Sequence, residues 1–261
     1  MSRLSSRFAR LQAEGRKGLI VYITAGYPDF ETTLQAVRAA EAMGADIIEL
    51  GIPFSDPMAD GPVIQEAAQQ ALRAGATTAK ALQLIGLIRQ ETDIPVLAMT
   101  YVNTVLQYGA AKFVKDFRAA GLDGVIVPDL PAEEADILTE HCEAGFDVIQ
   151  FIAPTTDADR VAAICRLASG FIYCISNTGV TGVRQVDYKQ IGALLNIARK
   201  YTRVPLAIGF GIGDARSAKE AAAYADAVIV GSAVMKKLMT GGIDGMGELI
   251  AEIRQGLDER A

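Results

Sequence analysis

The chain is poor in the residues that most enzymes use for metal, thiol or Schiff-base chemistry. Among 261 residues there are one histidine, three cysteines and no tryptophan. Cys142, Cys165 and Cys174 are odd in number and show no C-x-x-C spacing. That excludes a disulfide framework and fits reduced, mostly buried thiols. His141, beside Cys142 in a helical pattern, reads as a surface or packing residue, and no His, Asp and Glu cluster has metal-ligand spacing. No lysine falls in or just after a predicted strand, which argues against a Schiff-base mechanism. No apolar run reaches the length of a membrane span. The polar, basic N-terminus without an apolar stretch predicts no secretion signal. There is no basic patch or zinc-finger spacing of the kind that binds nucleic acid. The formal charge is −6, with acids and bases interspersed. This balance still permits a phosphorylated ligand, because backbone N–H groups hold phosphate without cationic side chains.

What is present is half hydrophobic, 51% by count, and regularly patterned. Eight short runs rich in Val, Ile and Leu occupy residues 19–24, 46–51, 95–101, 124–128, 147–152, 171–176, 205–210 and 227–231. Their length and continuous apolarity suit strands buried on both faces. Helical stripes lie between them, such as Phe30, Leu34 and Val37, or Leu82, Ile85 and Ile88, with Asp29 and Asp157 as N-caps. Others centre on Phe113 and Phe117, on Ile137 and Leu138, on Val161 and Ile164, and on Ile191, Leu194 and Leu195, and Met246 to Leu257 carries the last. Gly44, Gly121 and Gly145 stand where a helix ends and the next strand begins, as C-capping glycines do. Eight alternating βα units predict a (β/α)8 TIM barrel spanning 1–261 as one domain, with a doubly wound open sheet as the alternative. Leu4, Phe8 and Leu11 add an extra N-terminal helix, and the long gap after the second strand holds an additional helix near 63–73.

In such a barrel, chemistry sits at the C-terminal ends of the strands. The stretch 49–62, Glu-Leu-Gly-Ile-Pro-Phe-Ser-Asp-Pro-Met-Ala-Asp-Gly-Pro, starts in the second strand and brings three carboxylates there: Glu49, Asp56 and Asp60. Glu49 shares a face with Ile47 and Gly51, and burial there raises its pKa toward the range of a proton shuttle. Asp60, on a proline-flanked loop, reads as a second carboxylate in a wetter setting, making an acid/base pair in unlike environments. The alternatives are a structural ion pair for Glu49 and a loop cap for Asp60. Asp56 reads as a surface or interface charge, and Asp129 as either a structural cap or a loop-orienting acid. Gly182, Gly211 and Gly231 with the Ser232 N–H, followed by a short helix from about Ala233, read as the phosphate cradle expected after strands seven and eight, the alternative being plain turn and cap glycines. Tyr22, Tyr101 and Tyr173 serve either as barrel packing or as the walls of a slot for an aromatic substrate.

The chain resembles the tryptophan synthase alpha chain family. The resemblance rests on the 49–62 run, on Tyr22-Ile-Thr-Ala-Gly-Tyr-Pro28, Met99-Thr-Tyr-Val-Asn103, Val127-Pro-Asp-Leu-Pro131, Gly179-Val-Thr-Gly182, Gly209-Phe-Gly-Ile212 and Gly231-Ser232. It implies retro-aldol cleavage of indole-3-glycerol phosphate to indole and glyceraldehyde 3-phosphate. Glu49 is then the general acid/base and Asp60 the carboxylate at the indole N–H. Met99 joins the three tyrosines in the indole slot, and Gly179 and Thr181 belong to a lid. Pro53, Phe54, Asp56 and Pro57 match the loop that touches a beta chain. The resemblance also implies an α2β2 assembly, no cofactor in this chain, pyridoxal phosphate in the beta partner, and a cytoplasmic (or plastid-stroma) location. Val102, Thr104 and Cys174 depart from the family's common residues and bear on the slot's shape. The competing readings are a free-standing indole-releasing lyase, a silent activator of a beta chain, and a different phosphate-binding barrel.

Overall fold

The structure, a computed structural model, describes residues 2–175 and 188–259. Eight parallel strands close in sequence order: β1 (Gly18–Thr24), β2 (Ile47–Gly51), β3 (Val96–Met99), β4 (Gly124–Ile126), β5 (Asp147–Ile152), β6 (Ile172–Ile175), β7 (Leu206–Gly209) and β8 (Ala227–Val230), with β8 pairing back to β1. The predicted barrel is therefore the observed one. Most strands begin or end a residue or two inside the apolar runs that predict them. The runs continue past the ladder because strand ends and the loops leaving them are also buried; Thr100 and Tyr101 are examples.

The helices follow the predicted order with three differences. The N-terminal helix α1 (Arg3–Glu14) buries Leu4, Phe8 and Leu11. α2 (Phe30–Ala42) starts at Asp29, whose side chain accepts the Thr32 N–H. The extra helix α3 (Pro62–Arg73) precedes α4 (Thr78–Glu91). A helix that the sequence reading lacks, α5 (Val102–Tyr108), stands between β3 and α6 (Ala110–Ala119). Its N-terminal Val102 N–H donates to Asp129 at 2.9 Å, which makes Asp129 a structural cap. The segment around Ile137 and Leu138 forms only one turn, α7 (Asp136–Thr139), and His141 lies exposed in the turn after it, not inside a helix. α8 (Ala158–Leu167) and α9 (Tyr188–Ala198) flank β6. The second missed helix, α10 (Ala215–Ala222), buries only Ala218, Ala221 and Ala222, so it has no stripe of large side chains to announce it. The short helix expected near Ala233 begins at Ser232. It runs on as α11 (Ser232–Asp258), broken at Gly242, where φ is 63°.

The capping glycines adopt the left-handed values their place requires: φ is 100° at Gly44 and Gly121 and 98° at Gly145. The three cysteines are free. No helix among the described residues is long and apolar enough to cross a membrane.

The N-terminal end of the barrel is tied by a repeated device. Asp46, Asp123 and Asp226 each precede an even-numbered strand. Each accepts a backbone N–H at the start of the strand before it, from Leu19, Val96 and Leu206 respectively, at 2.9 Å. Each carboxylate also meets arginine. Arg254 lies 3.2 Å and Arg7 3.6 Å from Asp46, Arg89 and Arg3 lie 2.9 and 3.1 Å from Asp123, and Arg199 grips both oxygens of Asp226. Each carboxylate thus joins two strands and has an arginine partner.

Candidate active site

The opposite end of the barrel holds a cavity of about 660 Å³, its solvent-open mouth included. Alternation along the strands decides what lines it. Inward positions supply Tyr22 from β1, Glu49 from β2, Met99 from β3, Ile126 from β4, Phe151 from β5, Tyr173 from β6 and Ile229 from β8. Asp60 and Ile64 cover one side from the loop after β2 and from α3. Phe210, Gly211, Gly231 and Ser232 close the other.

Glu49 is 4% exposed, and its Oε2 is buried with no hydrogen-bond partner. Burial, reinforced by the nearby charge of Asp60, pushes its pKa up to about 8. Asp60 is 5% exposed, so the wetter setting expected for it is not found. The loop folds back over the strand ends and takes its carboxylate inside. Burial raises Asp60 to about 6, less than Glu49, because the Tyr101 hydroxyl donates to Oδ2 at 3.0 Å. The environments do differ, but through hydrogen bonding rather than water. Near pH 7 Glu49 is mainly protonated and Asp60 mainly ionised, so the pair is an acid beside an anion.

Of the two readings the sequence leaves for Tyr101, slot wall and packing, its position fits packing. It is almost fully buried and does not line the cavity. Its hydroxyl bridges Asp60 and the Ala59 N–H, and its ring stacks on Phe54 with centroids 5.2 Å apart. It holds the Asp60 loop in place.

Tyr22 and Tyr173 do line the cavity, and each fits by the same trick. Each lies across a glycine two residues beyond its register partner on the next strand, Gly51 for Tyr22 and Gly209 for Tyr173. A Cβ on Gly51 would stand 2.0 Å from the Tyr22 hydroxyl, and one on Gly209 2.4 Å from that of Tyr173. Phe151 stacks on Tyr173 at 5.0 Å and Phe210 meets it edge-on at 6.1 Å. The result is a flat aromatic slot, to which Met99, Ile126, Ile229 and Ile64 add apolar surface. Sequence reasoning missed Ile64, Ile126, Phe151, Phe210 and Ile229. Strict alternation from Glu49 around the sheet would have found the strand residues among them.

Gly211, Gly231 and Ser232 meet at the slot's far end. Phe210 and Gly211 both have positive φ, 80° and 77°, and turn the chain there so that backbone faces the cavity. Gly231 caps α11 without any side-chain hydrogen bond, and Gly231 and Ser232 at the helix's positive end both line the cavity. Gly213 is spent elsewhere: its N–H donates to Ser217. No lysine or arginine is among the lining residues described. Gly182, Gly179 and Thr181 lie outside the described residues. In the 53–60 loop Asp56 is exposed, as expected of a surface charge, and Met58 beside it is 74% exposed.

The profile of the tryptophan synthase alpha chain family matches residues 8–255. The tryptophan synthase alpha chain of Synechococcus elongatus is 46% identical over all of this chain and 98% of its own length. That of Gluconacetobacter diazotrophicus is 48% identical over 91% and 88%. Among solved structures, tryptophan synthase of Mycobacterium tuberculosis superposes with a TM-score of 0.90 at 36% identity, and the alpha subunit of Legionella pneumophila with 0.89 at 34%. Both cover 99% of either chain.

Proposed function

The chain belongs to the tryptophan synthase alpha chain family, and we propose that Glu49 and Asp60 divide the work of that family's lyase reaction, the cleavage of indole-3-glycerol phosphate to indole and glyceraldehyde 3-phosphate in tryptophan biosynthesis. The carrying observation is the buried pair itself, one carboxylic acid raised to about 8 with an unpartnered oxygen and one carboxylate nearer 6. Protonated Glu49 gives its proton to indole C3, which breaks the ring's aromaticity and puts positive charge on the indole nitrogen. Ionised Asp60 stabilises that charge. Glu49, now a carboxylate, removes the proton of the hydroxyl on the adjacent side-chain carbon. The carbonyl forms, the carbon–carbon bond breaks, and its electrons restore the indole. One proton has moved from oxygen to carbon and Glu49 is again protonated, so no water or other reactant is consumed.

The aromatic slot takes the indole, with Tyr22, Tyr173, Phe151 and Met99 as its walls. The backbone of Gly211, Gly231 and Ser232 takes the phosphate, fixing the substrate at a distance from the reacting bond and orienting it. The loop with Pro53, Phe54, Asp56 and Pro57 is the docking surface for a beta chain, in an α2β2 assembly in the cytoplasm. The chain itself works without a cofactor, pyridoxal phosphate belonging to the beta chain. The test is indole release from indole-3-glycerol phosphate by the purified chain, with and without a beta chain. Slow release that rises steeply with beta is the expected result. Fast release unchanged by beta would make the protein a free-standing lyase, and no release in either case would remove the assignment.

A further inference from the structure

β1 and β2 present four residues to the barrel interior as one patch: Tyr22 and Thr24 on one strand, Glu49 and Gly51 beside them at the same register. The missing side chain at Gly51 lets the Tyr22 ring lie along the strand direction. Its hydroxyl comes 3.3 Å from Thr24 Oγ1, which donates to it. Thr24 is fully buried and Tyr22 nearly so. With its oxygen accepting from Thr24, the phenol keeps its own proton, for which no acceptor is found among the described residues. Phenylalanine would fill the same space without burying a hydroxyl, so packing does not account for it. Burial, with Asp60 and Glu49 nearby, holds the phenol well above its ordinary pKa, and the proton stays on oxygen throughout the working range.

The substrate offers that proton few acceptors. The indole N–H is a donor and is matched to Asp60. The phosphate sits at the β7 and β8 ends. Two side-chain hydroxyls remain, and the one beside Glu49 is that on the carbon next to the ring, whose proton Glu49 removes. We propose that Tyr22 is a third catalytic group, whose hydroxyl, oriented by Thr24, donates a hydrogen bond to the substrate oxygen that becomes the aldehyde carbonyl. As Glu49 takes the proton, negative charge builds on that oxygen, and a fixed donor in a dry site acts most strongly at that moment. The inference rests on the reading of Glu49 as the proton shuttle.

Tyr22→Phe in the full chain, assayed with and without a beta chain, tests it. The expected result is a fall of about tenfold or more in kcat with KM little changed, one hydrogen bond's worth of transition-state stabilisation. The Kd of a phosphorylated indole with an unhydroxylated three-carbon side chain, which lacks the acceptor, stays at the wild-type value. Thr24→Val lowers kcat less, and the double variant is no slower than Tyr22→Phe alone, because the threonine acts through the tyrosine. Wild-type kcat in Tyr22→Phe, alongside an inactive Glu49→Gln, overturns the role and leaves the shuttle intact. A loss of analogue binding equal to the loss in kcat/KM also overturns it, by making Tyr22 a packing wall. An active Glu49→Gln removes the shuttle and this role together.

Discussion

The two ends of the barrel bury the same functional group and treat it in opposite ways. At the N-terminal end, Asp46, Asp123 and Asp226 each accept a strand N–H and face at least one arginine. At the C-terminal end, Glu49 has an oxygen with no partner, and Asp60 has one tyrosine hydroxyl for company. Burial is similar: Asp46 and Asp123 are as deeply enclosed as Glu49. Burial alone therefore does not make a proton shuttle. A buried acid whose charge is matched is a fastening between strands. One whose charge is unmatched and unbonded, as at Glu49, stays protonated near neutral pH and is ready to give the proton away.

Glu49→Gln breaks the comparison most sharply. Removing the proton shuttle lowers cleavage by about 10²–10⁴-fold, the usual scale for a general acid/base. The same change stabilises the fold at alkaline pH. A folded pKa near 8 against the ordinary 4.5 of a glutamate means the native state holds a proton that the unfolded chain releases. The resulting penalty grows as pH rises from about 4.5 to 8 and is full above that, on the order of a few kcal/mol. A thermal melt at pH 9 in which the variant is no more stable than wild type would contradict this account. Arg254→Met does the reverse at the other end. It leaves Asp46 with only Leu19 N–H and a distant Arg7, and costs about 2–4 kcal/mol of stability by urea titration. Turnover per folded molecule stays unchanged, and Arg254→Met with Asp46→Asn recovers part of the loss. A fall in kcat below the melting range would mean that the two ends are coupled.

The comparison sharpens in the pH profile. The proposed mechanism needs Glu49 protonated and Asp60 ionised, so it predicts a bell-shaped kcat/KM with limbs near 6 and 8, values that belong to the coupled pair. Asp60→Asn removes the acid limb and moves the basic limb down, since the aspartate's charge is one of the two causes that raise Glu49. A basic limb that stays at 8 would show burial acting alone. The smallest effect comes from Tyr101→Phe. Losing the hydroxyl that lowers Asp60 moves the acid limb up and trims activity most below pH 7, by about a few-fold. An acid limb that does not move would show that the tyrosine merely packs.

The strands were legible because each is buried on both faces and carries an unbroken run of Val, Ile or Leu. α10 was not, because alanines bury it, and alanine marks no face. Glu49 was legible because a carboxylate inside an apolar strand has few explanations. The setting of Asp60 was misread because its dryness depends on Tyr101, 41 positions along the chain and joined to it only by the fold. Proline-flanked loops look wet in one dimension. Asp46, Asp123 and Asp226 went unread for a similar reason: their kinship is a matter of position around the ring. Gly51 and Gly209 looked like ordinary features of strand ends, whereas their task is to leave room for a tyrosine on the strand before.

That shared room has a consequence for how the cavity can change over generations or in a library. Positions 22 and 51 occupy one volume, as do 173 and 209, so neither member of a pair is free to change size alone. A variant that enlarges residue 51 by a single methyl group meets the tyrosine and fails before its catalysis can be tried. One that shrinks residue 22 opens a hole. Changing both together slides the wall of the slot from one strand to its neighbour at nearly constant volume, and this two-step move, not single substitution, is the accessible route to a differently shaped aromatic substrate.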